Sequence, residues 1–357
     1  MYYSCYSCCV SFMFASVNRN KLTQTYLMKK LLSVIAFLFA TAPLSFAQTT
    51  PDSVKTYVIQ ALDIMKNHSL NKQKVDWEKL YTTTLEAARD AKTIRETYPA
   101  LNNALEELGD RHSRFFPKEV FDAHNVGYKS LGRKLPMPSG HMIDKKYAFI
   151  LVPPFYMFEK DEQLAYADSL QTIIRQLDAQ NPKGWIIDLR LNDGGNMHPL
   201  LAGLAPILGE GQFIGWQSAD NVITYDTVRN GMVRDVTGGK YFLATPYTIK
   251  NTKAPVSVLV SDKTASSAEM IAGAFIGRPK TKLIGTYTGS LTTSNELYKL
   301  SDGSYLNLTV STMVDRTGKV YGHGITPDIA LDLTNNTITN GYLYIRAAIK
   351  HIDKPKK

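Results

Sequence analysis

The chain has 357 residues, 44% of them hydrophobic, and a formal net charge of +9, which allows a sizeable buried core in one large domain or two ordinary ones. Arg19, Lys21, Lys29 and Lys30 fall within the first 47 residues, which carry no acid; without that stretch the charge is about +5, and no dense Lys/Arg block is left to serve nucleic acid. Cys5, Cys8 and Cys9 are the only cysteines and lie in the same stretch, which excludes thiol catalysis, disulfides and cysteine metal sites from the rest of the chain.

From Met28 the sequence reads MKKLLSVIAFLFATAPLSFAQ. Two lysines, an apolar run and a small-residue end at Ser45-Phe46-Ala47 are the layout of a secretory signal peptide cleaved after Ala47. The alternative, a membrane anchor, asks for roughly 20 apolar residues, whereas the run from Leu31 to Phe39 is well short of that and Pro43 interrupts its end. A complete signal at Met28 makes residues 1–27 read as a misassigned extension. Residues 1–47 are thus expected to be extension and signal, the mature chain to have no stable membrane span, and the protein to be exported to the periplasm or beyond.

After a polar linker, Gln48 to Asp52, apolar residues recur at Val54, Tyr57, Val58, Ala61, Leu62 and Met65, the spacing of one helix face. A second helical stretch, Val75 to Leu108, is expected to break at Pro99 and to stop at Gly109. Residues 48–125 therefore read as a helical N-terminal domain. Phe115 to Lys146 is weakly periodic, and 126–146 reads as a linker or short strands.

From Tyr147 the pattern becomes α/β. YAFILVPPF, an amphipathic helix from about Asp161 to Leu177, and GWIIDLRLND form a strand, helix, strand unit, which implies parallel pairing through a right-handed crossover. APVSVLVSD, TASSAEMIAGAFIG and TKLIGTYTG repeat the cycle, and both units are expected in one sheet. ELYKLSDGSYLNLTVSTMV then reads as a hairpin turning at Asp302-Gly303. A last turn, GHGITPDI, precedes a helix near Leu343 to Ile352. The α/β core is placed at 147–335, and a C-terminal helix and tail at 336–357.

The sharpest local feature is Thr264-Ala265-Ser266-Ser267-Ala268-Glu269, between the strand at Val256–Val260 and the next helix. A hydroxyl there sits at the strand's C-terminal edge, where open α/β sheets bind ligands, beside the unpaired N–H groups of a helix N-terminus. Ser266 with Glu269 is equally the signature of a capping box, and the pattern alone leaves both readings open. A second feature is the paired-glycine turn Asn192-Asp193-Gly194-Gly195-Asn196, which leaves the neighbouring strand and allows close backbone approach to a substrate.

WIIDLRLNDGG, KTASSAEMIAGAFIGRPKTKLIGTYTG, LSDGSYLNLTV and GHGITPDI occur in the order that resembles the C-terminal-processing, or tail-specific, serine peptidases, a family that includes the tricorn core and interphotoreceptor retinoid-binding protein. LGDRHSRF, Leu108 to Phe115, is similar to the segment that supplies the histidine in the tricorn-like branch, so the resemblance spans roughly Val75 to Ile329. It implies an α/β fold with a ClpP/crotonase-like core, a parallel sheet and strand-helix repeats, beside a helical N-terminal domain. By this resemblance Ser266 is the nucleophile, His112 the base, and Gly194, Gly195 and the N–H of Ser267 the oxyanion hole. The lysine base that follows the serine by 25 positions in the processing branch falls here on Leu291. Four residues on, Asn295 matches a base-orienting amide, with Glu296 as its neighbour and competitor. About 35 residues separate His112 from Tyr147, too few for an inserted PDZ domain.

His198 and His323 are rival bases, and Asp315 or Glu296 is a substitute for the glutamate that the tricorn branch uses near its last turn. The resemblance implies a serine-type endopeptidase that cleaves peptides or unfolded protein segments through an acyl-enzyme. A catalytically inactive member binding a peptide or hydrophobic ligand is the alternative. No cofactor and no metal are expected, because no ligand-spaced cluster occurs.

Overall fold

The computed structural model describes residues 51–235, 243, 245–333 and 337–354, so the signal segment, the start at Met28 and the cleavage after Ala47 lie outside the described residues. Helix α1 (Asp52–His68) buries Val54, Tyr57, Val58, Ala61, Leu62 and Met65, the six positions that the spacing picks out. Helix α2 (Trp77–Ala87) begins at Asp76, whose carboxylate accepts the Lys79 N–H at 3.1 Å. A 3-10 turn (Ile94–Thr97) leads into α3 (Tyr98–Glu107). Pro99 does not break this region as expected. It occupies the first turn of α3, where its missing N–H has no partner to lose, and the break falls before it.

Strand β1 (Arg114–Phe116), helix α4 (Lys118–Asn125), the short α5 (Gly127–Ser130) and strand β2 (Ser139–Ile143) follow. They resolve the stretch whose periodicity was weak. Next come β3 (Tyr147–Leu151), α6 (Lys160–Asp178), β4 (Gly184–Asp188) and α7 (Met197–Leu208), then β5 (Gly211–Ser218), β6 (Ile223–Arg229) and β7 (Met232–Arg234). The chain continues with β8 (Val256–Val260), α8 (Ser267–Phe275), β9 (Thr281–Gly285), β10 (Thr293–Lys299), β11 (Tyr305–Asp315), β12 (Ile329–Ala330) and α9 (Thr337–Ile352).

One six-stranded sheet has the order β12-β9-β8-β4-β3-β2, parallel throughout except for the antiparallel edge strand β2. Both strand-helix-strand units therefore share this sheet, as the apolar runs predict. Strand β4 is buried at every position, which a central parallel strand covered on both faces requires. On one face Ile150, Trp185, Ile187 and Val258 pack with Leu170 of α6, Leu204 of α7 and Ile271 of α8. On the other, Tyr147, Ile186, Leu259 and Ile284 meet Tyr344, Ala348 and Ile352 of α9.

The second sheet is antiparallel, in the order β1-β11-β5-β6-β7, with β10 pairing β11 along its length. The β10–β11 hairpin turns where Asp302-Gly303 signals it, Gly303 having φ of +87°. Strands β5 to β7 are an addition that the sequence reading did not identify. The N-terminal helices pack on this hairpin, Tyr57, Leu62 and Leu101 sharing a cluster with Leu300, Leu306 and Leu308. Between His112 and β3 the chain holds only β1, α4, α5 and β2.

Candidate active site

Strand β8 ends at Val260, and the five residues that follow are stapled to the exit of β4. Ser261 Oγ donates to the Arg190 carbonyl at 2.6 Å, Thr264 Oγ1 to the Leu189 carbonyl at 2.9 Å, and the Ala265 N–H to the Asn192 carbonyl at 3.3 Å. The chain then turns sharply into α8 with Ser266 at φ 52°, ψ −122°, a conformation that non-glycine residues adopt only when the surroundings impose it. The Ser266 N–H donates to Glu269 Oε2 at 3.1 Å, and the Ser266 hydroxyl lies 2.9 Å from His112 Nε2.

Glu269 is wholly buried. Its carboxylate also accepts the N–H groups of Ser290 at 3.1 Å and Leu291 at 2.7 Å and the Thr288 hydroxyl. Burial holds its pKa above the usual carboxylate value, and these four hydrogen bonds offset only part of that rise. The group thus ties the serine turn to the loop that feeds β10.

The glycine turn faces this serine. A Cβ at Gly194 would stand 2.8 Å from Ser266 Cβ, and one at Gly195 only 2.1 Å from the Phe155 carbonyl oxygen. Both positions have positive φ, +114° and +99°, so glycine is required twice over. The Gly194 N–H is committed to Asn192 Oδ1 at 3.0 Å. Asn192 in turn donates to the Val152 carbonyl at 3.0 Å. Ser267 hydrogen-bonds through Oγ to the Gly195 carbonyl, which fixes the turn to the start of α8, and the Ser267 N–H belongs to the first turn of α8, where helix N–H groups lack intrahelical partners.

His112 comes from the link between α3 and β1. Asp110 organises that link by accepting the N–H groups of His112 at 2.9 Å and Ser113 at 2.6 Å and the Ser113 hydroxyl at 2.8 Å. Thr309 Oγ1 of β11 lies 2.9 Å from Asp110 Oδ1 and 3.0 Å from Asn295 Oδ1. Asn295 donates to the His112 carbonyl at 3.1 Å. It therefore holds the backbone of His112, while the ring Nδ1 is 2.8 Å from Thr293 Oγ1. Burial lowers the His112 pKa; Asp110 opposes this, Arg114 reinforces it and the Thr293 backbone opposes it. The ring is consequently neutral at neutral pH, as a proton acceptor must be.

Several sequence candidates lie elsewhere. Glu296 is on the same hairpin, but its carboxylate accepts the Tyr298 hydroxyl at 2.8 Å. Asp315 closes a turn with Thr317 and accepts the Tyr321 hydroxyl at 2.9 Å. His323 uses its carbonyl to accept the Thr292 hydroxyl at 2.5 Å. His198 borders the cleft, and burial takes its pKa down to about 4, but the Ser266 hydroxyl meets His112. Sequence reasoning missed Thr293, because a threonine in a Thr-Thr-Ser-Asn run carries no signal of its own.

Ser266 opens on a cleft of about 350 Å³. Phe116, Phe121, Phe158, Met270 and Leu297 form much of its wall, and among the described residues no Asp, Glu, Lys or Arg lines it. Phe121 stacks on Tyr305 with ring centroids 3.7 Å apart and faces Phe158 at 6.1 Å.

The family model for peptidase family S41 matches residues 146–331. The chain is similar to the nisin-resistance protein of Lactococcus lactis subsp. lactis, 29% identical over 301 residues that cover 84% of this chain and 89% of that one. It is also 30% identical over 168 residues to the carboxy-terminal processing protease CtpA of Bacillus subtilis (strain 168), covering 47% of this chain and 32% of the relative. A solved lipoprotein from Streptococcus agalactiae superposes with a TM-score of 0.68 at 26% identity, covering 83% of this chain and 97% of its own.

Proposed function

The chain belongs to peptidase family S41, and we propose that it is an exported serine endopeptidase acting through an acyl-enzyme on Ser266. The observation that carries this reading is the 2.9 Å contact between Ser266 Oγ and a half-buried, neutral His112. A serine hydroxyl is too weakly acidic to attack an amide unaided. In the proposed reaction His112 Nε2 takes the hydroxyl proton as Oγ bonds to the scissile carbonyl carbon. The same proton then passes to the departing amine, and water, activated by the same nitrogen, releases the acid and restores the serine.

The oxyanion formed in each half-reaction is assigned to the N–H groups of Gly195 and Ser267. Gly194, whose N–H is engaged by Asn192, contributes by lacking a side chain. Asn295 acts through the His112 backbone rather than its ring, and Glu296 has no part.

The wall of the cleft, rich in aromatic and aliphatic side chains and, among the described residues, without Asp, Glu, Lys or Arg, points to substrates with apolar side chains near the scissile bond, since a carboxylate or ammonium group would be desolvated there without such a counter-charge. Exported peptides or unfolded segments fit this description, and the name of the Lactococcus lactis relative makes nisin one defined peptide to try. Export itself rests on the sequence from Met28 to Ala47; no helix among the described residues is long and apolar enough to cross a membrane.

The test is hydrolysis of a quenched-fluorescence peptide library by residues 48–357. Cleavage beside apolar residues that disappears in Ser266→Ala supports the reading. Cleavage that survives the substitution refutes Ser266 as nucleophile, and tight binding of uncleaved peptide by the unaltered protein favours an inactive, ligand-binding member of the family.

A further inference from the structure

We propose that Thr293 is the positioning residue for the His112 ring, its hydroxyl standing at Nδ1 where serine hydrolases with a complete triad place a carboxylate. This rests on the reading of Ser266 and His112 as nucleophile and base.

Neutral imidazole has one N–H, and which nitrogen bears it is decided by the partners. His112 Nε2 must keep its lone pair toward Ser266, so the proton belongs on Nδ1, and there Thr293 is the partner, its Oγ1 at 2.8 Å and its backbone acting on the same ring. A hydroxyl can accept that N–H, and it goes on accepting it when Nε2 takes the serine proton and the ring becomes imidazolium. Strand pairing sets the approach. Thr293 pairs with Thr312 of β11, and a register shift lies between Ser294 and Asn295. Thr293 and Asn295 are two apart on β10 and so share one of its faces, Thr293 meeting the ring while Asn295 holds the backbone carbonyl of the same histidine.

The groups that face His112 are few. Asp110 lies on its own link and Arg114 at the start of β1. Thr293 and Asn295 approach from the hairpin, Ser266 from the start of α8, and His198, itself neutral, borders the same cleft from α7. The Asp110 carboxylate is spent on the N–H groups of His112 and Ser113. The ring is therefore oriented by a neutral oxygen, and the imidazolium formed in the reaction has no carboxylate at Nδ1.

The test is an NMR titration of the His112 ring, assigned by its absence in His112→Ala, together with kcat and KM as functions of pH, in the unaltered protein, Thr293→Ser, Thr293→Val and Thr293→Asp. Thr293→Ser should retain the Nδ1–H tautomer and most of kcat. Thr293→Val should lose the hydrogen-bonded Nδ1–H signal and about tenfold or more in kcat with KM little changed. Thr293→Asp should raise the ring pKa by about one unit or more, as an opposite charge at hydrogen-bond distance does, and move the acid limb of kcat with it. An unshifted ring pKa in Thr293→Asp, or an unaltered tautomer in folded Thr293→Val, overturns the proposal. The titration needs no turnover, so an inactive parent protein would count against the peptidase reading and leave this result to stand or fall by itself.

Discussion

His112 is a half-buried base whose desolvation holds its pKa below the usual value of about 6.5. Two consequences follow from the sign. Activity needs the neutral ring, so the acid limb of kcat/KM should fall below that of an exposed histidine. Stability changes in the same window: below about pH 6.5 the unfolded chain binds a proton that the folded chain resists, so this residue's contribution is lost as pH falls toward the folded pKa. A pH–rate profile centred at or above the ordinary histidine value would contradict the burial argument. At Gly195 the constraint is steric. Gly195→Ala would place Cβ at 2.1 Å from a backbone oxygen in a left-handed conformation, and should cost at least about 1–3 kcal/mol in denaturant titration and abolish turnover. The sequence displayed Ser266, Ser267, Gly194 and Gly195 because each stands in a local pattern, a Ser-x-x-Glu turn or a Gly-Gly pair, whereas His112 stood out only through the resemblance of LGDRHSRF to the tricorn-like branch. The partner of the His112 ring was illegible, since it depends on the register of β10 against β11, which no local pattern specifies.

At the scale of elements, helix α1 shows how far periodicity carries. Its six apolar positions are all buried, and five of them share a cluster with the helices α2 and α3 and with the β10–β11 hairpin, more than 230 residues later in the chain. The same hairpin supplies Thr293 and Asn295 to His112. Leu62→Ala should therefore cost about 2–5 kcal/mol of stability, as for other fully buried leucines, measured by urea titration. The folded fraction should keep its catalytic constants, because Leu62 lies in the helix and hairpin cluster and is not among the residues lining the cleft. The parallel strands were readable as apolar runs between turn residues. Strands β5 to β7 were not: β6 alternates polar residues with few buried ones, and β5 carries Gly211 and Gly215 in a short, mixed sequence, so neither gives a clean period.

Across the whole molecule, the serine turn and the glycine turn lie at the C-terminal edge of the parallel sheet, and the base arrives from a segment braced by the other sheet. Asp110, Thr309 and Asn295 form the brace, joining the α3–β1 link to both strands of the hairpin. Residues 154 apart are thus brought within 2.9 Å, Ser266 against His112, which explains why only the resemblance, and no local pattern, joined the two in the sequence. Among the described residues the cleft between these parts has no Asp, Glu, Lys or Arg in its wall, although the chain as a whole is basic. Peptide capture should then depend on apolar contact, and kcat/KM for a neutral peptide should change little as salt rises and screens surface charge. A steep loss with salt would show that charges outside the cleft dominate capture.

The most direct test of the central claim is fluorophosphonate labelling of residues 48–357 followed by intact mass. The account predicts one adduct per chain, absent in Ser266→Ala and slowed strongly in His112→Ala, because only an activated serine hydroxyl is phosphonylated at neutral pH. A folded protein that takes no label, or one labelled equally well in Ser266→Ala, would contradict it.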